Sequence, residues 1–485
     1  MDKTSSSSDQ YNKNKKGIFS FYDRFFINIY NTFGDALLSS IQFNTELFNA
    51  FAEAYRIYLS TISEYNRSWK DFTELDKTLR SRFQKIFDEK FREERFVNLL
   101  SDLVASYSEL AKITGLGKMY QYTSNRMAGW NNDFIEPIRD TLYRTQSQKI
   151  CELEKHSLFH YNRPLTNSTK NTEKEGNTSS TAQAPVPVLV IYAFINRHYI
   201  LDLLPEVSVV RNLLNQGGLD LFATDWGTPS AYDKTLTIGH FVNRYIDKSV
   251  DFIRKITKSD KVTLFGYCWG GDLALMYAAL HPEKVRSLVT IATPGDFLDN
   301  SLLSVWTRAM KEDYLLDAFG NVPGMVLNAA FNLRRPIEYS HKYVHFFEQP
   351  HDLESIAEFF AKETWLYDSP PVIGEIYREF VEYCYKQNLL IKNEMRIEGA
   401  GNGGDDEDNN NRIVNLKDIT MPFLNIVAKK DDLVAPNSSK ALNNALTESN
   451  DKSIIEFNSG HVGLMIGKNA HKELWAKVGE WIKNH

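Results

Sequence analysis

Cysteine is scarce in this chain: three residues in 485, Cys151, Cys268 and Cys384. They are too few and too scattered for a disulfide framework or a zinc site. Such usage fits a reducing compartment. Long apolar runs are missing too. No uninterrupted stretch approaches the roughly 18 residues a spanning helix needs, so no membrane span is expected. Positive charge is not in excess. The net charge is -6, which argues against a generally basic nucleic-acid binder. Met1 to Lys16 is rich in Ser, Asn and Lys and lacks the apolar core of a signal peptide. The expectation is a cytoplasmic chain with no nucleic-acid partner. At roughly 100–200 residues per domain, two or three domains are expected.

Aromatic residues, by contrast, are plentiful at 13%, and many lie in the first third. Residues 1–16 are polar with few apolar anchors and read as disordered. Residues 17–144 read as helical. Phe26, Tyr30 and Phe33, then Leu37, Ile41, Phe48, Phe51, Tyr55 and Tyr58, recur mostly at three- and four-residue spacings. That stripe is either a bundle core or an aromatic face that docks onto a partner or an apolar body.

Residues 145–163 lead into the next domain, and residues 164–186 are a Thr-, Ser- and Asn-rich linker or insertion. From residue 187 to 485 the pattern changes. PVLVIYA, residues 187–193, is a near-continuous apolar run, as in a parallel strand buried on both faces. Further strands are read at 219–224, 262–265, 285–292, 421–428 and 454–457. Helices are read at about 208–216, 237–256, 273–280 and 469–482. Strands alternating with helices imply right-handed crossovers and a mostly parallel sheet, with chemistry at the carboxyl ends of the strands. Between about 296 and 397 the alternation stops, and a helical, aromatic insertion follows: a cap over the strand ends. Residues 400–411, AGNGGDDEDNNN, read as an exposed acidic loop and not as a metal site.

The stretch Leu264 to Asp272 carries the chemistry. Its Gly266-Tyr267-Cys268-Trp269-Gly270 follows the G-x-nucleophile-x-G pattern, with cysteine where serine usually sits. Small neighbours let the central residue take a strained strand-to-helix turn. The helix start beneath it favours thiolate. Asp431 follows one later strand and His461 the last. Cys268, Asp431, His461 is the nucleophile, acid, histidine order of an α/β-hydrolase fold. Asp431 is preferred to its neighbour Asp432, which would point the other way along extended backbone. His461 would handle the proton, and the carboxylate would fix its tautomer. Oxyanion contacts are expected from the backbone N–H groups of Trp269 and Ile195. Asn196 and Arg197, at the same strand end, could bind a charged substrate or serve the fold. A thiolate exchanges acyl groups with thioesters at little cost, which hints at acyl transfer from a thioester donor.

From about Lys149 onward the chain resembles the polyhydroxyalkanoate synthases, class III above all. The segments that carry the likeness are Ile195 to Leu203 (INRHYILDL), Asp225 to Pro229 (DWGTP), the Gly266–Gly271 box, Trp365 to Pro370 (WLYDSP), Leu389 to Asn393 (LLIKN), and the Asp431 and His461 loops. The resemblance implies a Cys-His-Asp triad that polymerises (R)-3-hydroxyacyl groups from coenzyme A thioesters, with a preference for short-chain units such as 3-hydroxybutyryl. It implies no metal or organic cofactor. It further implies a homodimer, a separate helical helper subunit and attachment to polyester granules. Family members often carry histidine where Asp432 stands. Residues 1–144 lie outside the resemblance; they are expected to do a helper's job in cis, or to dock the helper or the granule. The rival readings are a thioesterase or polyester depolymerase on the same scaffold, and a non-catalytic granule-associated protein.

Overall fold

The computed structural model describes residues 145–161, 184–334, 353–399 and 411–485, with the isolated positions 98, 105 and 342. The expectations for residues 1–144, for most of the polar linker and for most of the acidic loop therefore lie outside the described residues. The chain divides into two compact units, residues 1–124 with 309–320, and residues 125–308 with 321–485. The described part of the first unit is essentially one helix, Glu312–Phe319. The second unit holds the sheet and the loops that carry the chemistry.

Its centre is an eight-stranded sheet. The strands are β1 (Ser147–Leu153), β2 (His156–Tyr161), β3 (Val186–Ile191), β4 (Leu219–Asp225), β5 (Val262–Tyr267) and β6 (Val285–Ile291). After a small pair, β7 (Arg396–Glu398) and β8 (Asn411–Ile413), come β9 (Phe423–Ala428) and β10 (Lys452–Phe457). The order across the sheet is β1-β2-β4-β3-β5-β6-β9-β10. The six strands read from the sequence all form, and all run parallel. The lead-in adds two more: β1 and β2 make an antiparallel hairpin whose second strand pairs antiparallel with β4.

The apolar runs explain the order. β3, β5 and β9 are buried at every position and sit inside the sheet. β10 alternates exposed and half-buried residues and closes one edge. Helices α1 (Val209–Asn215), α2 (Asp247–Thr257) and α3 (Trp269–Leu280) are the crossovers. All twelve residues of α3 are buried. Its Leu273, Leu275, Met276 and Leu280 each contribute about 1.5–3 kcal/mol of transfer free energy. The single helix expected over about 237–256 is interrupted: Phe241–Ile246 is wound as a π-helix between the α-helical Ile238–His240 and α2. That stretch sends Phe241 edge-on against Phe194, Trp226 and Tyr245 at once. The closing helix likewise divides, into Lys468–Glu473 and Trp475–Asn484.

Parallel register aligns the carboxyl ends. Ile191 pairs with Gly266, Tyr267 with Ile291, Ile291 with Ile426, and Ala428 with Phe457. The loops leaving β3, β5, β9 and β10 thus emerge along one edge. Between β6 and β9 the chain is mainly helical: Leu302–Ala309, Gly324–Leu333, Leu353–Tyr367, Gly374–Glu379, the π-wound Phe380–Lys386 and Leu389–Lys392. Among the described residues no helix is long and apolar enough to cross a membrane.

Candidate active site

β5 ends at Tyr267 and α3 begins at Trp269, so Cys268 alone makes the turn between them. Its backbone sits at φ 54° and ψ -130°, outside the usual regions for an L-residue. Such a conformation costs about 1–3 kcal/mol and persists only where its surroundings enforce it. Here the Cys268 N–H donates to Ile291 O at 2.9 Å, and the Cys268 carbonyl accepts from Gly271 N at 2.8 Å. The neighbouring glycines are a packing requirement. A Cβ on Gly270 would stand 2.2 Å from Ile191 O, and one on Gly266 would stand 2.4 Å from the Cα of Gly271. Backbone cannot step aside as a side chain can. Gly270→Ala is therefore expected to destabilise the fold by about 1–3 kcal/mol, read as a lower urea midpoint.

Asp431 and His461 come from the loops after β9 and β10. Those loops are laced together: Lys429 N donates to Phe457 O at 2.8 Å and Lys430 N to Ser459 O at 2.9 Å. His461 Nδ1 lies 2.7 Å from Asp431 Oδ2, and both residues are 7% exposed. The other carboxylate oxygen, Oδ1, accepts from the N–H groups of Leu433 and Val434, each at 2.9 Å. Three interactions therefore fix one carboxylate. Asp432 turns away and forms an ion pair with Arg334.

The Cys268 side chain lies near enough to the imidazole to favour its charged form. Burial alone opposes charge on His461. The Asp431 carboxylate, the Cys268 sulfur and the hydrogen bond to Asp431 outweigh it, and the pKa is raised to about 10. The surroundings thus favour the protonated ring. One phenol packs against the ring, and a second packs against that phenol. The Tyr267 ring lies 5.1 Å from that of His461, and Tyr192 is 5.7 Å from Tyr267. Burial pushes both phenols well above their ordinary pKa, so they stay neutral. The Trp269 ring stacks on Phe380 of the helical insertion, with centroids 4.2 Å apart and planes 4° apart.

His461 and Asp431 thus meet directly, and the turn carrying Cys268 lies beside them through the Tyr267 ring. Of the two backbone positions expected to hold an oxyanion, Trp269 follows Cys268 directly, and Ile195 lies in the loop leaving β3, the strand beside β5. Asn196 and Arg197 are engaged inside the protein. Asn196 Nδ2 donates to Leu366 O at 3.0 Å and to Ser369 Oγ at 2.7 Å. Arg197 donates to Gly227 O at 2.8 Å and to Thr228 Oγ1 at 2.6 Å. Of the two roles considered for them, the structural one is what these bonds describe. Sequence reasoning missed the aromatic wall. Tyr267 stands next to the marked nucleophile position, but nothing in a strand's residue types shows that its ring will pack on a histidine from the last loop, or that Tyr192 will pack behind it.

The alpha/beta hydrolase fold family matches residues 186–468. The chain is 38% identical over 337 residues to the poly(3-hydroxyalkanoate) polymerase subunit PhaC of Allochromatium vinosum, covering 69% of this chain and 87% of that one. It is 32% identical over 367 residues to PhaC of Thiocystis violacea, covering 75% and 95%. The chain belongs to the poly(3-hydroxyalkanoate) polymerase family. With PhaC of Haloferax mediterranei the identity is 41% over 345 residues, 70% of this chain and 64% of the relative. Membership makes the chain an enzyme, an acyltransferase-type synthase of polyhydroxyalkanoate with the α/β-hydrolase fold.

Proposed function

We propose that this polymerase builds its polyester from (R)-3-hydroxyacyl-coenzyme A through a thioester on Cys268. The observation that carries the reading is the His461–Asp431 pair set beside the strained turn that presents Cys268, with Tyr267, the residue before Cys268, packed on the His461 ring. The Cys268 thiolate attacks the thioester carbonyl. The oxyanion that forms is held by the N–H groups of Trp269 and Ile195. Collapse breaks the bond to coenzyme A, whose sulfur takes the proton from His461. Acyl-Cys268, free coenzyme A and a neutral imidazole remain. The 3-hydroxyl of the next monomer then gives its proton to His461 and attacks acyl-Cys268. An ester bond forms, the carbon–sulfur bond breaks, and the thiolate–imidazolium pair is restored. The lengthened chain, still a coenzyme A thioester, returns to Cys268. Asp431 holds the ring and its tautomer throughout.

Cysteine suits this cycle because exchange between thioesters is close to isoenergetic, whereas a serine ester would be a lower resting point. The class III likeness supports short-chain units, a homodimer, a helical helper subunit and attachment to the polyester granule. The test is product size. The purified full chain, with and without a helper subunit, is given (R)-3-hydroxybutyryl-coenzyme A. Polymer with free coenzyme A is the expected result. Free 3-hydroxybutyrate with coenzyme A and no polymer would instead mark a thioesterase.

A further inference from the structure

Asn196 lies one residue beyond Ile195, with its backbone at φ 61°. Asparagine tolerates that left-handed conformation better than most residues. Its side-chain amide faces the end of the helix Leu353–Tyr367. There it donates to Trp365 O at 3.3 Å, Leu366 O at 3.0 Å and Ser369 Oγ at 2.7 Å. The last carbonyls of a helix have no partner within it, so Asn196 acts as a cap supplied from the hydrolase core. The helix answers in kind: Trp365 Nε1 donates to Arg197 O at 2.8 Å. On its other side the loop is held through the Arg197 guanidinium, which bonds Gly227 O and Thr228 Oγ1 in the loop after β4. Tyr199 OH donates to Asp368 Oδ2 at 2.9 Å, and Ser369 Oγ reaches Asn328 Oδ1 at 3.1 Å. The loop leaving β3 is therefore gripped from two directions, and the grip is centred one peptide from Ile195.

We propose that Asn196 is a positioning residue for acyl transfer: its amide ties the Ile195 N–H in place by bonding the loop to the end of the Leu353–Tyr367 helix. This rests on the oxyanion role given to Ile195 above and adds to it a named side chain. A donor aimed at an oxyanion works only if it is already in position, and a displacement of about 1 Å can cost about 100-fold in rate. The chain spends an asparagine, a tryptophan N–H and a serine on one turn of loop because that turn carries the contact.

The test uses the full chain. Asn196→Gly keeps the left-handed backbone free of strain and removes the amide. The expected result is a kcat for coenzyme A release lowered about 10- to 100-fold, with KM within about threefold. Alkylation of Cys268 by iodoacetamide forms no oxyanion, so its rate should stay within about twofold of the unaltered chain. Ser369→Ala removes one acceptor and should show the same split at smaller size; it decides the matter if Asn196→Gly fails to fold. A kcat within about twofold, whatever happens to the unfolding midpoint, would overturn the proposal. So would alkylation falling in step with kcat, since Asn196 would then act on the thiol. Coenzyme A release that survives Cys268→Ala is a separate outcome: it would overturn the nucleophile and leave the Asn196 result to be read on its own.

Discussion

Cys268→Ala is expected to lower coenzyme A release by at least about 10⁴-fold, the scale on which loss of a nucleophile is felt when its partners act as a unit. Only the sulfur is removed. Alanine carries a Cβ as cysteine does, so the turn at φ 54° meets the same backbone constraint, and the Ile291 and Gly271 hydrogen bonds are made by main-chain atoms. The unfolding midpoint should therefore move far less than the rate. A second readout follows the acyl group itself. Intact-mass analysis after mixing with 3-hydroxybutyryl-coenzyme A should show an acyl adduct on the unaltered chain and none on the variant. The other two cysteines serve as controls. Cys384 is fully buried, and burial first, then the charges of Asp272 and Glu379, push its thiol pKa up, the opposite of activation. Cys151 lies on β1, at the far edge of the sheet from β9 and β10. An adduct that persists in Cys268→Ala would move the chemistry away from this turn.

Much of this site could be read before any coordinates, for definite reasons. A parallel strand buried on both faces must be apolar almost throughout, so β3, β5, β6 and β9 announced themselves as runs. Gly266, Gly270 and Gly271 announced the turn: backbone passes too close to the first two for any side chain, and the Thr293 side chain fills the space beside the third. The choice of Asp431 over Asp432 came from extended geometry, and the two carboxylates do diverge, one to His461 and the other to Arg334. The hairpin β1–β2 was less legible. Its alternating polar residues suit a half-exposed edge, and nothing local says which strand it will join. Least legible was the grip on the β3 loop. Asn196 and Trp365 are 169 residues apart, and a side chain that caps a distant helix leaves no periodic trace. Both lie in segments that carried the family likeness, Ile195 to Leu203 and Trp365 to Pro370. That likeness marked the two stretches as special without saying that they bind one another.

Asp431→Asn tests how the charge on His461 is maintained. The substitution keeps shape and leaves an amide oxygen able to accept from Leu433 N and Val434 N. The remaining NH₂ then faces Nδ1, where a donor cannot bond a donor, so the ring is driven to the tautomer with its proton on the nitrogen facing Cys268. Activity should fall about 10⁴-fold, as expected when a triad carboxylate becomes an amide. The pH dependence separates this from simple disruption. In the unaltered chain burial lowers the His461 pKa, but Asp431 and Cys268 raise it further, to about 10. A folded-state pKa above the unfolded value of about 6.5 stabilises the fold fully below pH 6.5. That contribution is lost as pH rises from there through about 10. In Asp431→Asn the largest attraction is gone, and Cys268 alone is left to oppose burial. The His461 resonance, followed by NMR in selectively labelled protein, should titrate at distinctly lower pH. The loss of stability between pH 6.5 and 10 should flatten with it. An unchanged titration in the variant would mean that the carboxylate does not hold the imidazolium, and the charge pair at the centre of the cycle would need another source.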